Sequence, residues 1–208
     1  ASSRTLKFGG SASTTIPAGA IIFSDPVDLT LPPNADVAVD LYVPGDTAAS
    51  GSPLTMHTGA LQTSYVSSSG NFVGMGNFPV ATTTASWFLL ARVEVVAPPT
   101  SGAIVAIGDS ITDGTRSTPN TNHRWPDLLA TRLAAATGPR MAVLNAGIAG
   151  NRVLLDNAGP NVQARFDRDA LSLSGVTHMI VLEGINDIGQ ARTNPLPSAA
   201  DLIGAHRQ

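Results

Sequence analysis

The apolar residues of the second half of the chain are gathered into three short runs, Ala103–Ile107, Met141–Leu144 and Met179–Leu182, each broken off by small and polar residues. Runs of this length bounded by turn formers fit strands buried on both faces, as in a parallel sheet. Between them the period changes to that of a helix. Arg124–Thr137 carries Trp125, Leu128, Leu129, Arg132 and Leu133 at helical spacing, with Pro126 in the first turn and Gly138-Pro139 as the stop. Asn161–Leu171 reads as a second helix and Ser198–Gln208 as the start of a third, with Leu202 and Ile203 placed to pack. The order β–α–β–α–β–α predicts right-handed crossovers and a parallel sheet.

The first half has a different grammar. Asp36–Val43 alternates with period two, as a half-buried strand does, and Leu61–Val66 and Ala85–Val96 read similarly. Pro32-Pro33-Asn34, Pro44-Gly45-Asp46 and Ser67–Asn71 supply turns between them. This pattern predicts a β-sandwich or jelly-roll-like accessory domain over residues 1–98. Ala97–Gly102, with its paired prolines, is the expected linker to an α/β domain over 103–208.

Each buried run of the second half ends in a block of polar and glycine residues: GDSIT at 108–112, NAGIAGN at 145–151 and GIND at 184–187. In a parallel sheet these blocks gather at one edge, where ligands bind. Together they deliver a serine, backbone N–H groups and a side-chain amide, the parts of an acyl-transfer site. Ser110 is the candidate nucleophile, with its own N–H, the Gly150 N–H and the Asn186 amide as oxyanion donors. The ordinary alternatives are a helix N-cap for Ser110, turn glycines for Gly147 and Gly150, and an Asx turn for Asn186. Asp109, Gly147, Asn151, Arg152 and Ile185 flank these positions and are expected at the substrate, with Arg116 beside them. Glu183 is expected as a paired structural carboxylate at the rim. Reading Asp109, Asp113 and Asp187 as ligands of a divalent metal for phosphodiester cleavage is the weaker view, because Asp beside a serine also orients loops. No metal or cofactor is expected.

The three blocks, in this order and spacing, resemble the SGNH (GDSL) hydrolase family of serine esterases over roughly residues 101–208. That resemblance implies a flavodoxin-like three-layer α/β fold, here incomplete. It also implies hydrolysis of a small-molecule ester or acylated substrate, and gives Ser110, Gly150 and Asn186 the roles assigned above. In the family the base comes from a D-x-x-H block late in the chain, and this sequence contains none. Of the four histidines, His57 lies in a turn of the β half. His178 belongs to the opposite sheet edge, and His206 falls late in a helix running away from the active edge. His123, ahead of the first helix, is the remaining geometric candidate. The expectation is therefore a fragment truncated at both ends, near-silent alone, whose catalytic His and Asp come from a complementary C-terminal polypeptide.

Composition narrows the class further. With 43% hydrophobic and 13% charged residues the chain is globular, and with net charge −3 and no basic run it is not a nucleic-acid binder. The absence of cysteine removes disulfides and thiolate chemistry. No apolar stretch reaches the roughly 18 residues a membrane span needs, and no signal peptide is visible. A single lysine against eleven arginines, with abundant Ser, Thr, Gly, Ala and Pro, leans towards a secreted or periplasmic protein. The competing class is a non-catalytic glycan- or surface-binding module fused to an inert hydrolase remnant.

Overall fold

A computed structural model describes residues 3–51, 54–189 and 197–208. The chain forms two compact units, one from residues 1–56 and 63–93, the other from 57–62 and 94–208.

The second unit is built on a parallel sheet of three strands, β5 (Gly102–Gly108), β6 (Met141–Gly147) and β7 (Val176–Leu182), in the order β6-β5-β7. This second–first–third order is that of flavodoxin-like sheets. The register runs in step against β6 and, after one shift between Ala103 and Ile104, against β7, pairing Gly108 with Gly147 on one side and with Leu182 on the other. All three strands therefore stop at one level, and the three polar blocks emerge side by side. Central β5 carries the core: Val105, Ala106 and Ile107 are fully buried.

Helix α2 (Trp125–Ala135) packs on β6, starting as expected with Pro126 in its first turn. The predicted helix over Asn161–Leu171 is capped by Asn161, runs as α3 (Val162–Phe166) and finishes as a π turn (Asp167–Leu171). α5 (Ala199–His206) is capped by Ser198, but Ile203 is exposed rather than packed. Two short helices were not anticipated, α1 (Ser110–Asp113) and α4 (Ile185–Gly189). Each occupies a single turn after a strand, too short to show a hydrophobic period.

The first unit holds the short strands β2 (Ser64–Ser67), β3 (Val80–Thr84) and β4 (Trp87–Phe88), and Met56 of the two-residue strand β1 (Met56–His57). β2 and β3 pair antiparallel through Ser64–Thr84, Tyr65–Thr83 and Val66–Thr82. The strand expected over Asp36–Val43 is not formed, and only Trp87–Phe88 of Ala85–Val96 is strand. The alternation is present in both, but a strand needs a neighbour for its N–H and C=O groups. Among the described residues no ladder is built on 36–43, and Val37, Leu41, Tyr42 and Val43 are exposed.

Candidate active site

Ser110 is the first residue of α1, and the residue before it takes the capping role. Asp109 is buried, has extended backbone, and accepts the Ile111 N–H at 2.8 Å through Oδ1. The helix-cap alternative for Ser110 is thereby used up by Asp109. Among the described residues the Ser110 hydroxyl makes no hydrogen bond, while its carbonyl accepts from Gly114 and Thr115. Asp109, expected at the substrate, is instead a buried orienting group.

The β6 block folds against α1 by close backbone approach. A Cβ on Gly147 would lie 2.8 Å from both Asp113 Cα and the Thr112 carbonyl carbon, so only glycine lets the strand end meet the helix. Asn145 seals the junction, donating to Thr112 O at 2.9 Å and accepting the Gly147 N–H at 2.9 Å. Beyond it, Ile148–Asn151 forms a turn closed by the Asn151 N–H on Ile148 O at 3.0 Å. Gly150 is its third residue at φ +83°, a left-handed conformation that a type II turn demands there. Among the described residues the Gly150 N–H meets no acceptor.

Asn186 is buried on α4 and donates through Nδ2 to Asn151 O at 2.9 Å, which orients its amide from behind. Its neighbour Asp187 accepts the backbone N–H groups of Val153 and Leu154 at 2.9 and 3.2 Å. The three blocks are thus joined by hydrogen bonds as well as by register. Ile185, at the start of α4, is exposed.

Asn151 and Arg152 are placed differently from the expectation of a lining role. Asn151 is fully buried, donating to Pro160 O at 2.8 Å and accepting from Arg165 Nε at 3.0 Å. Arg152 is only 8% exposed. Arg165, which the sequence reading passed over, is the hub behind the site. Its buried guanidinium donates to Ala146 O at 2.7 Å and Gly108 O at 3.2 Å, tying the ends of β6 and β5 to the Asn151 turn. Burial pushes its pKa below the ordinary value, while Asp169 at 3.2 Å opposes that shift.

Glu183, expected to be paired, is not. Both carboxylate oxygens are shielded from solvent without a hydrogen bond among the described residues. Burial, then the nearby Asp109 charge, push its pKa up from an ordinary 4.5 to about 7, with Arg165 and the Gly184 backbone pulling the other way. Asp109, Asp113 and Asp187 do not converge, since each carboxylate accepts different protein groups. No group of three acidic or imidazole side chains among the described residues can hold a metal.

Two histidines lie elsewhere than expected. His206 Nε2 lies 3.8 Å from where a Gly184 Cβ would be, so α5 brings it back to the GIND block. His57 belongs to the α/β unit, with Nε2 2.7 Å from Asp113 Oδ1. His123 is exposed.

Residues 106–207 match the GDSL-like Lipase/Acylhydrolase family. The α/β unit of this protein is an SGNH/GDSL hydrolase domain. Among solved structures, similarity extends to AlinE4, an SGNH-hydrolase family esterase. The match has 26% identity, covers 45% of each chain and has a TM-score of 0.36. A mutant of esterase AlinE4 matches at 28% identity over 42% of each chain, with a TM-score of 0.34. The chain thus spans less than half the length of either esterase. No curated protein sequence matches it.

Proposed function

We propose that the protein hydrolyses carboxylic esters through Ser110, with the Gly150 N–H and the Asn186 side-chain amide receiving the oxyanion. The observation that carries this reading is a hydroxyl and an N–H, neither engaged among the described residues, on adjacent blocks at one sheet edge. Attack of the hydroxyl on an ester carbonyl places negative charge on the carbonyl oxygen, and donors fixed before reaction stabilise it without reorganisation. Asp109 and Gly147 hold α1 and the strand end in place, and Asn151 holds the donor turn. Ile185, next to Asn186 in sequence and exposed, offers an apolar surface to the ester.

A serine hydroxyl needs a base, and Ser110 meets no imidazole among the described residues. The proposed base is a histidine, oriented by an aspartate, on a complementary C-terminal segment. Residues 1–98 are proposed as a β-sandwich accessory domain and 103–208 as the hydrolase domain, in a secreted or periplasmic protein. No helix among the described residues is long and apolar enough to cross a membrane.

The direct test is a fluorophosphonate, a serine-directed probe whose tetrahedral adduct mimics the intermediate. Treat the protein together with any chain that co-purifies, digest it, and map the adduct by mass spectrometry. The adduct is expected on Ser110. An adduct elsewhere with Ser110 unmodified would overturn the assignment.

A further inference from the structure

We infer that Asp113, backed by His57, is a positioning pair that aims the Gly150 N–H. This rests on the reading of Gly150 as an oxyanion donor. Asp113 closes the same one-turn helix that Ser110 opens, and its side chain is buried. Its two oxygens go to two partners distant in sequence. Oδ2 accepts the Ala149 N–H at 2.9 Å and Oδ1 meets His57 Nε2 at 2.7 Å. An ionised carboxylate only accepts, so Nε2 carries the proton in this contact.

The geometry of the turn gives the Asp113–Ala149 bond its meaning. In a four-residue turn the central peptide distinguishes type I from type II, and its N–H points to opposite faces in the two. In Ile148–Asn151 the central peptide is Ala149–Gly150, whose N–H is the proposed donor. Every other peptide of the turn is held. The Ile148 N–H binds Gly108 O at 2.9 Å, the Ala149 N–H binds Asp113, and Gly150 O accepts Asn157 Nδ2 at 3.2 Å. With its flanks fixed and φ of Gly150 at +83°, the central N–H has one direction. Asp113 is the one side chain in this set that reaches from the nucleophile's own helix, so it couples the serine's placement to the donor's.

His57 reaches the site on a strap from the first half of the sequence. The strap, residues 57–62, is tied to the loop before α2 by Asn120 N–H to Leu61 O at 2.9 Å, by Gln62 to Asn122, and by the Arg124 guanidinium to Ala60 O. Arg124 also donates to Asp113 O at 2.9 Å and pairs with Asp127 at 3.5 Å. Asp113 is thus the charged group that His57 meets, and Arg124 holds the Asp113 backbone and the strap. Neither ring nitrogen of His57 hydrogen-bonds the Ser110 hydroxyl, so its role runs through the carboxylate.

The test uses the full chain with Asp113→Ala, His57→Ala and His57→Gln, Gln keeping an N–H donor for Oδ1. Amide hydrogen exchange at Ala149, read by NMR, is expected to speed up about tenfold or more in both alanine variants, the scale of one charge-assisted hydrogen bond. In His57→Gln it should stay near the parent rate. Ser110 phosphonylation should slow by about the same factor in His57→Ala and recover in His57→Gln. Should Asp113→Ala fail to fold, the contrast between His57→Ala and His57→Gln decides alone. Unchanged Ala149 exchange in a folded His57→Ala protein, or equal loss in His57→Gln, would overturn the pair. An unlabelled Ser110 in the parent would sink the hydrolase reading instead, while the exchange measurement would still judge the pair.

Discussion

Replacing Arg165 with methionine tests whether the site is held from behind by a single buried cation. Methionine keeps most of the volume and removes every donor. Ala146 O and Asn151 Oδ1 then lose the guanidinium as donor, Gly108 O is left with the Ile148 N–H alone, and Asp169 keeps only Arg168 as its cation. A buried acceptor left unmade costs about 1–3 kcal/mol, and breaking a buried charge pair about 3–5. These losses share one relaxation and do not add, so the expected destabilisation is about 3–5 kcal/mol. That is a large fraction of the roughly 5–15 kcal/mol typical of a domain. Arg165→Lys restores the charge but cannot span three acceptors with one ammonium, and should recover less than half. Because the chain has two units and two tryptophans, Trp87 and Trp125, the assay is urea unfolding followed at Trp125 in a Trp87→Phe background. A midpoint change worth less than about 1 kcal/mol would refute the claim that Arg165 ties β5, β6 and the Asn151 turn together.

Two further outcomes follow from the same geometry. Gly147→Ala forces a Cβ against α1 backbone that has no side chain to move aside, and should cost roughly 2–3 kcal/mol; thermal unfolding checks it. Glu183 should make stability fall with pH. Its folded pKa of about 7 lies above the ordinary 4.5, so the folded protein holds this proton more tightly than the unfolded chain does. The contribution is complete below about 4.5 and is lost as pH rises through about 7. The shift corresponds to about 3 kcal/mol, reduced to roughly 1–2 because the group is only partly buried. Relative to Glu183→Gln, the parent should therefore weaken by that amount across the interval in paired denaturant titrations, and parallel profiles would contradict it.

What the sequence shows of this site depends on how far each signal extends. The three parallel strands are legible because their apolar runs are unbroken, but burial on both faces holds only for central β5: Ile180, Val181 and Leu182 of edge strand β7 are exposed. The polar blocks at their ends are legible for the same reason, since the register follows from the strands. Arg165 was passed over because arginine on a helix is ordinarily a solvent-facing residue. Its spacing of three from buried Val162 is the signal that would have placed it inward. His57 carries no such signal: its partner Asp113 is 56 residues away, and nothing local marks the strap as part of the α/β unit. Asp36–Val43 shows the opposite failure, where alternation is a property of one segment but a strand is a property of two.

The central claim is that Ser110 is the nucleophile of an ester hydrolase. The measurement closest to it is turnover of a chromogenic short-chain ester by the protein with any co-purifying chain, compared between parent and Ser110→Ala at matched folding. Measurable turnover is expected in the parent, with a loss on the order of 10⁶ in the variant, the scale seen when a triad serine is removed. Turnover that survives Ser110→Ala in a folded protein would contradict it.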